Sequence, residues 1–438
     1  MPHTQHPIEL LRFNTCGSVD DGKSTLIGRL LYDSKSLMED QLEAMEKSAD
    51  ITGGGKINLA NLTDGLRAER EQGITIDVAY RYFATPRRKF IVADTPGHVQ
   101  YTRNMVTGAS TANLSIVLVD ARNGVIEQSR RHTYLASLLR IPHVVIAVNK
   151  MDLVGWSEDR FWEIRDEMEK FLPRLGIKDV TFIPISALTG DNVVELSTNM
   201  PWYKGPTLLG YLETVHIASD WNLNGLRLPV QWVNRPNNPS DPSLHDFRGF
   251  SGQISGGIVR VGQKIMVLPS GMKSIVKDIW TYDGSRQEAF CPQSITLVLE
   301  DDVDVSRGDM IVGLDSLPGM TTEVRARVCW MHRRPLKKDG KYLLKHTTQT
   351  VQARITALEN RINVNTFESE PEPPELAMND IGEVLILSAK PLVFDGYRTN
   401  RLTGSFILIE PSTNLTVAAG MLRPPIETVK PEYNDFAI

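Results

Sequence analysis

The amino-acid sequence predicts an α/β domain with a mostly parallel sheet, followed by two antiparallel β-barrels. From residue 8 to about residue 213, short apolar runs alternate with longer amphipathic stretches, which is the pattern of βαβ units. After Trp221 the pattern changes to short alternating apolar runs interrupted by glycine, which is typical of antiparallel strands joined by tight turns. The chain of 438 residues is long enough for two to four such domains.

The predicted domain boundaries follow these changes of pattern. Residues 1–220 form the α/β domain, residues 221–320 the first β-barrel and residues 321–425 the second. The stretch 314–323 resembles a linker between the two β segments, and 426–438 is a tail or linker with little periodicity.

Composition excludes several classes of protein. The chain is 41% hydrophobic and 23% charged, as in ordinary globular proteins rather than disordered or membrane proteins. Three cysteines without a CxxC pair exclude a disulfide framework and fit a reducing compartment. No apolar run approaches the roughly 18 residues of a membrane span, so we expect a cytoplasmic protein with no membrane partner. The net charge of −5 argues against a nucleic-acid partner.

Each predicted strand of the first domain ends in a polar or glycine-containing loop. The predicted strands are 11–16, 89–94, 115–120, 144–150 and 180–186. The predicted helices are 25–32, a helix opened by the capping box Ser36 to Glu39, 127–140, 157–172, and a last one beginning at Gly205 and Pro206. Since ligands bind at the carboxyl ends of strands in open α/β sheets, these loops should build the site.

The first of these loops has the pattern GxxxxGK[ST] of a phosphate-binding loop. Its glycines allow backbone N–H groups to surround phosphates, its lysine reaches the β and γ oxygens, and its serine hydroxyl ligates Mg²⁺. A glycine-rich turn without chemistry is the alternative, but the flanking strand and helix favour phosphate binding. The residues are Gly17, Ser18, Val19, Asp20, Asp21, Gly22, Lys23, Ser24 and the adjoining Thr25.

A second loop, Asp94, Thr95, Pro96, Gly97 and His98, closes the strand 89–94. Asp94 supplies a carboxylate for Mg²⁺, and Gly97 can turn its N–H toward a γ-phosphate. Upstream, the hydroxyl of Thr75 is suited to completing the Mg²⁺ shell when the third phosphate is present. A lone histidine is more often structural than catalytic. His98, however, directly follows the predicted γ-phosphate contact, where a group is needed to orient the attacking water, so we expect it to be catalytic.

The third and fourth loops indicate the base. Asp152 can accept hydrogen bonds from guanine N1–H and the exocyclic amine, and this acceptor would be left unpaired beside adenine. Lys150 can lie along the base, while Asn149 can connect this loop to the phosphate loop. The segment Ser186, Ala187 and Leu188 offers a backbone N–H for the guanine carbonyl. The sequence therefore predicts GTP as the nucleotide, with Mg²⁺.

The order of these motifs, GSVDDGKS, GITI, DTPGH, NKMD and SAL, resembles that of the translation-factor GTPases, of which elongation factor Tu is a familiar member. The resemblance spans essentially the whole chain. It implies an α/β P-loop GTPase domain followed by two antiparallel β-barrels, the three-domain elongation factor Tu-like architecture. One departure is that Ser18 and Asp21 stand where members serving the ribosome usually have histidine.

The chain is more similar to the family of the large GTP-hydrolysing subunit of bacterial ATP sulfurylase, sulfate adenylyltransferase subunit 1. The segments that carry this resemblance are 17–24, 29–42, 68–83, 94–110 and 200–209. It implies a GTPase that pairs with a smaller catalytic adenylyltransferase subunit. That partner makes adenosine 5′-phosphosulfate and pyrophosphate from ATP and sulfate, driven by GTP hydrolysis. The alternative is a translation-factor-type GTPase that delivers a charged tRNA, although no RNA-binding face is evident.

Overall fold

A computed structural model describes residues 9–34, 77–96, 102–177, 179–217, 221–236, 247–363, 366 and 368–424. The chain divides into two compact units, Met1–Ile217 and Ala218–Ile438. Thr75, Gly97 and His98 lie outside the described residues, as do the helix expected after Ser36 and the tail 426–438. Within the described ranges, no helix has the length and apolar character needed to cross a membrane.

The first unit is built on a six-stranded sheet with the order β2-β3-β1-β4-β5-β6. Every neighbouring pair is parallel except β2 and β3, which are antiparallel. Strands β4 and β5 consist entirely of buried residues, as expected where helices cover both faces of a parallel sheet. The six strands are β1 Leu10–Cys16, β2 Ala79–Ala84, β3 Lys89–Asp94, β4 Leu114–Asp120, β5 His143–Asn149 and β6 Asp179–Pro184.

Five α-helices accompany this sheet in the described residues: α1 Lys23–Asp33, α2 Thr102–Ala109, α3 Glu127–Leu138, α4 Glu158–Phe171 and α5 Leu208–Thr214. Short 3₁₀ turns occupy Met151–Val154 and Leu172–Leu175. In α1, the helical spacing of Leu26, Ile27 and Leu30 puts all three on one face, where they join Leu11 and Phe13 of β1 in the core. This packing fixes the start of α1 beside the end of β1.

All five strands predicted for this unit are present, with ends within two residues of the expected positions. The edge strand β2 and helix α2 were not predicted. The start expected for the last helix is wrong, because α5 begins at Leu208 rather than at Pro206. Thr207 is the cap residue: its hydroxyl oxygen accepts the Gly210 N–H at 3.1 Å, a bond that proline cannot replace.

The second unit consists of antiparallel sheets. An eight-stranded sheet contains the path β7-β16-β11-β12-β15-β9-β8, with β13 on β12, and β10 pairs with β14. The strands of these two sheets are β7 Arg227–Pro229, β8 Trp232–Asn234, β9 Gly249–Gln253, β10 Ile258–Arg260, β11 Lys264–Leu268, β12 Met272–Thr281, β13 Gly284–Arg286, β14 Glu288–Phe290, β15 Ser294–Leu299 and β16 Met310–Gly313.

A second sheet follows the order β18-β22-β23-β17-β21-β19-β20, and an additional β18–β19 pairing closes it into a barrel. Closure removes the exposed edges of six strands and encloses a core that includes Trp330 and Phe394. The strands are β17 Gly319–Trp330, β18 Lys341–His346, β19 Gln349–Ile362, β20 Ser369–Pro371, β21 Ile381–Phe394, β22 Ser405–Ile409 and β23 Thr416–Leu422.

The two β domains of this unit are joined by a partly buried ion pair. The Arg227 guanidinium donates to both carboxylate oxygens of Asp395 at 2.9 Å, and the Thr403 hydroxyl donates to the same carboxylate at 2.7 Å. Arg227 also donates to the Ser316 carbonyl in the connection between the domains. That connection is shorter than the expected linker 314–323, because β17 begins at Gly319.

Candidate functional site

The predicted phosphate loop lies between β1 and α1, at the edge of the sheet where β1, β4 and β5 end. Gly22 has φ of 93°, a left-handed conformation, and a Cβ at this position would lie 2.5 Å from Asn149 Nδ2. Only glycine satisfies both constraints. No side chain caps the N-terminus of α1, so the N–H groups of its first turn face the loop without a side-chain acceptor. This is the arrangement that binds anions at helix N-termini.

Lys23, the first residue of α1, places a buried cation in this loop. Its ammonium donates to the carbonyl oxygens of Gly17 at 3.0 Å and Ser18 at 2.7 Å. Burial lowers the pKa of Lys23, while the nearby Asp94 and Asp21 carboxylates act in the opposite direction. In the described part of the chain, no carboxylate forms an ion pair with this ammonium, so it remains available to an anionic ligand.

Asn149, at the end of β5, connects the phosphate loop to the loop after β6. Its Nδ2 donates to the Asp21 carbonyl at 2.7 Å, and its Oδ1 accepts the Ala187 N–H at 2.9 Å. The side chain is fully buried. One amide therefore fixes the distance between two loops that come from opposite ends of the domain sequence.

The Asp152 carboxylate faces the loop formed by Ser186, Ala187 and Leu188. Its Oδ1 accepts the Ser186 hydroxyl at 2.7 Å. The N–H groups of Ser186 and Ala187 are already bonded, to the Asp191 carbonyl and to Asn149. The Leu188 N–H has no acceptor among the described residues, and its side chain is exposed. Of the three backbone N–H groups predicted as candidates to bind the base, only that of Leu188 is therefore without an acceptor in the described residues.

Lys150 is held in a strained conformation beside the phosphate loop. Both Lys150 and Asp20 have positive φ, of 64° and 69°, and the Lys150 ammonium donates to the Asp20 carbonyl at 2.5 Å. The same ammonium lies 2.9 Å from Asp120, to which Arg122 also donates. Burial favours the neutral form of Asp120, but hydrogen bonds from Arg122 and Lys150 outweigh it and lower its pKa to about 2. Asp120 is therefore a stable anion that fixes Lys150.

Sequence reasoning missed Asp120, Arg122 and Arg29 as parts of this site. Asp120 could have been found from its place at the end of a predicted strand, because it ends β4 directly opposite Asn149 in the parallel register. Arg29 gives no such signal, since it follows the phosphate loop on an ordinary amphipathic helix. Its guanidinium donates to the carbonyls of Ala187 at 3.2 Å and Leu188 at 2.5 Å, and thereby ties α1 to that loop.

Asp94 ends β3 next to β1, on the phosphate-loop side of the sheet. It is buried, and Thr15 of β1 donates to its Oδ1 at 3.4 Å. The Thr95 hydroxyl donates to the Thr15 carbonyl at 2.6 Å, and Pro96 is buried beside it. The structure thus brings Asp94, Thr95 and Pro96 to the loop. It does not describe Gly97, His98 or Thr75.

The remaining predicted residues lie in the loop or in the first turn of α1. Asp21 is buried, Asp20 is exposed at the rim, and the others are partly buried: Ser18, Val19, Ser24 and Thr25. The structure therefore gathers the described members of the predicted site, from Gly17 to Leu188, at one edge of one sheet.

Comparisons with known proteins identify the family of this chain. Residues 9–210 match the family model of the elongation factor Tu GTP binding domain, and residues 323–423 match the GTP-eEF1A C-terminal domain-like model. Sulfate adenylyltransferase subunit 1 of Bacteroides fragilis is 57% identical over 421 residues, which cover 96% of this chain and 87% of that protein. The chain belongs to the sulfate adenylyltransferase subunit 1 family. It is an enzyme subunit with a GTPase domain, and the predicted family, fold class and enzyme class are confirmed.

Two further similarities accompany this assignment. The bifunctional enzyme CysN/CysC of Mycobacterium tuberculosis (strain CDC 1551 / Oshkosh) is 54% identical over 426 residues, 97% of this chain and 69% of that enzyme. Among solved structures, that of sup35 complexed with GDP has 22% identity and a TM-score of 0.44, and the match covers 96% of this chain and 95% of that one.

The Arg29 contacts generate a first prediction. Arg29→Met keeps the aliphatic stem but removes the donors to Ala187 and Leu188, so the loop after β6 loses its connection to α1. We expect GDP affinity, measured by calorimetry, to fall roughly tenfold, the size of one charge-assisted hydrogen bond. The matched control is Arg165→Met, which removes an exposed ion pair with Glu169 on α4 and should leave GDP affinity unchanged. Equal affinities for both variants would contradict this role of Arg29.

Proposed function

We propose that this chain is the GTP-hydrolysing subunit of a heteromeric sulfate adenylyltransferase of sulfate assimilation. It couples GTP hydrolysis to the formation of adenosine 5′-phosphosulfate and pyrophosphate from ATP and sulfate by a smaller catalytic partner subunit. The observation that carries the nucleotide site of this proposal is the Asn149 bridge, which sets a phosphate-type loop and a base-type loop at a fixed separation. The adenylyltransferase part rests on the 57% identity to sulfate adenylyltransferase subunit 1. The relatives' designation as subunit 1 supports a partner.

The loop fits the phosphates of a nucleotide. The buried Lys23 ammonium has only carbonyl partners in the described residues, and the N-terminus of α1 lacks a side-chain cap. An ammonium and helix N–H groups at one point favour the β- and γ-phosphates, because a buried charge needs a counter-charge. The backbone from Gly17 to Gly22 surrounds these phosphates, and Thr25 completes the first turn.

Mg²⁺ fits the same place by the chemistry of its donors. The Ser24 hydroxyl in the first turn of α1 and the buried Asp94 carboxylate are hard oxygen ligands of the kind this ion prefers. Thr75 is the third proposed ligand. When bound, the ion neutralises charge on the β- and γ-phosphates. Gly97 contacts the γ-phosphate, while His98 orients the attacking water. The oxygen of that water bonds to the γ-phosphorus as the bond from this phosphorus to the β,γ-bridging oxygen breaks, and GDP leaves with that oxygen.

Base selection rests on Asp152 and Leu188. The Asp152 carboxylate accepts from guanine N1–H and the exocyclic amine, and the free Leu188 N–H donates to the guanine carbonyl. Lys150, held by Asp120 and the Asp20 carbonyl, lies along the base. Adenine would present its amine to the Leu188 N–H donor and offer no N–H donor to the Asp152 carboxylate, so it is excluded.

Base selection generates a prediction for Asp152→Asn. The amide replaces one acceptor by a donor, so it complements xanthine, which has a carbonyl where guanine has its amine. We expect the preference for guanosine over xanthosine diphosphate to invert, with a change in the affinity ratio of roughly 100-fold or more. Competition binding with both nucleotides measures this ratio. Asp166→Asn, an exposed position on α4, is the control. An unchanged guanine preference in Asp152→Asn would remove the basis for base recognition.

Coupling generates a third prediction, tested with this chain, the partner subunit, ATP, sulfate and GTP, each omitted in turn. Guanosine diphosphate and adenosine 5′-phosphosulfate are measured together. We expect GTP hydrolysis to accelerate when partner, ATP and sulfate are all present, and product to exceed the level reached without GTP. Product formed by this chain alone, or a partner-bound GTPase rate indifferent to ATP and sulfate, would contradict the proposal.

His98→Ala is the matched control for this assay. It should bind GTP within a few fold of the parent chain but hydrolyse it more slowly by roughly 100-fold or more, because the loss is confined to the transition state. Product should then return to the level without GTP. Parent-like hydrolysis by His98→Ala would show that this histidine is structural.

A further inference from the structure

Asp21 is a buried carboxylate inside the phosphate loop that the proposed binding scheme does not use. Its Oδ2 accepts the Ser18 N–H at 2.5 Å, and its own N–H donates to the Ser18 carbonyl at 3.3 Å. The side chain thus closes a small ring within the loop. Asp21 is only 3% exposed, so water does little to screen its charge.

The surroundings of Asp21 leave the carboxylate little freedom to turn away. A Cβ on Gly17 would lie 3.1 Å from Asp21 Oδ2 and 3.1 Å from the Leu118 side chain, so the carboxylate lies against the Gly17 backbone. On the other side, Asn149 Nδ2 holds the Asp21 carbonyl at 2.7 Å. The carboxylate is therefore held by the Ser18 N–H and the Gly17 backbone, while Asn149 holds the Asp21 backbone.

The carboxylate shares its contacts with the cation that should meet the phosphates. Lys23 donates to the carbonyls of Gly17 and Ser18, the same two residues that Asp21 contacts. Asp21 and Lys23 do not form an ion pair with each other, so the Lys23 ammonium does not donate to this carboxylate. The negative charge of Asp21 nevertheless cancels part of the positive potential of Lys23. Burial raises the pKa of Asp21, with the Ser18 N–H and Lys23 opposing this shift, which is the expected sign for a carboxylate held away from water.

We propose that Asp21 sets the nucleotide affinity of this chain through two opposing effects. Its hydrogen bond to Ser18 keeps the phosphate loop formed before a nucleotide arrives, which favours binding. Its negative charge repels the phosphates, which weakens binding and speeds the release of GDP. The inference rests on the proposed GTP site and adds a residue that determines how tightly that site holds its product.

Two substitutions separate these effects. Asp21→Asn retains an oxygen that can accept the Ser18 N–H but removes the charge. Asp21→Ala removes both the charge and the acceptor, so the Ser18 N–H is left without its partner. The Asn variant therefore reports the charge, and the difference between Asn and Ala reports the hydrogen bond. Asp21→Ser, which also keeps an acceptor without charge, replaces the Asn variant if that protein does not fold.

The experiment measures the GDP dissociation constant and release rate for the full chain, using a fluorescent GDP analogue and stopped flow. Guanosine, which carries no phosphate, is the second probe, and Asp166→Asn is the control for the loss of one carboxylate. We expect Asp21→Asn to bind GDP at least tenfold more tightly than the parent, mainly through slower release, with guanosine affinity unchanged. Asp21→Ala should bind GDP severalfold more weakly than Asp21→Asn.

Three results would overturn this inference. One is a folded Asp21→Asn variant that binds GDP no more tightly than the parent. The second is an equal gain for guanosine, which would assign the effect to loop shape rather than to charge. The third is an equal gain in Asp166→Asn, which would assign it to net charge. A parent chain that binds no GDP would instead contradict the proposed function itself.

Discussion

The candidate site depends on one buried amide. Asn149 donates to the Asp21 carbonyl and accepts the Ala187 N–H, and neither contact is reachable by water. Removing such a side chain would leave a buried carbonyl and a buried N–H unsatisfied, at about 1–3 kcal/mol for each. Gly22 is required by the same side chain, because a Cβ there would collide with Nδ2. The spacing of phosphate and base contacts thus follows from the position of Asn149.

The sheet explains why this amide can reach both loops. Asn149 ends β5, with Asp120 of β4 opposite it and β6 on its other side. In a parallel sheet, all these strands end at one edge, so residues distant in sequence become neighbours. Asp120 then fixes Lys150, while Arg29 reaches the same loop from α1. Strain in Lys150 and Asp20, both with positive φ, is retained where these contacts converge.

Much of this fold was predictable because the parallel strands are short, apolar and followed by polar loops. The edge strand β2 was not predictable, because only one face is covered and Tyr80 and Tyr82 are exposed on it. The start of α5 was misplaced because Pro206 suits a first helical turn, yet the Thr207 hydroxyl provides the cap. Residues such as Lys23 and Asp152 could be assigned from the spacing of the sequence motifs that contain them. Arg29 lies in no such motif, and the carbonyls that it contacts are more than 150 residues away in sequence, so its role could not be predicted.

The most direct test of the Asn149 account is a crystal structure of the full chain with GDP and Mg²⁺. The account predicts that the β-phosphate lies at the first turn of α1, that the guanine lies against Asp152 and the Leu188 N–H, and that both Asn149 hydrogen bonds persist. A nucleotide bound elsewhere on the chain would contradict it. So would GDP bound here with the Asn149 side chain turned away from Asp21 and Ala187.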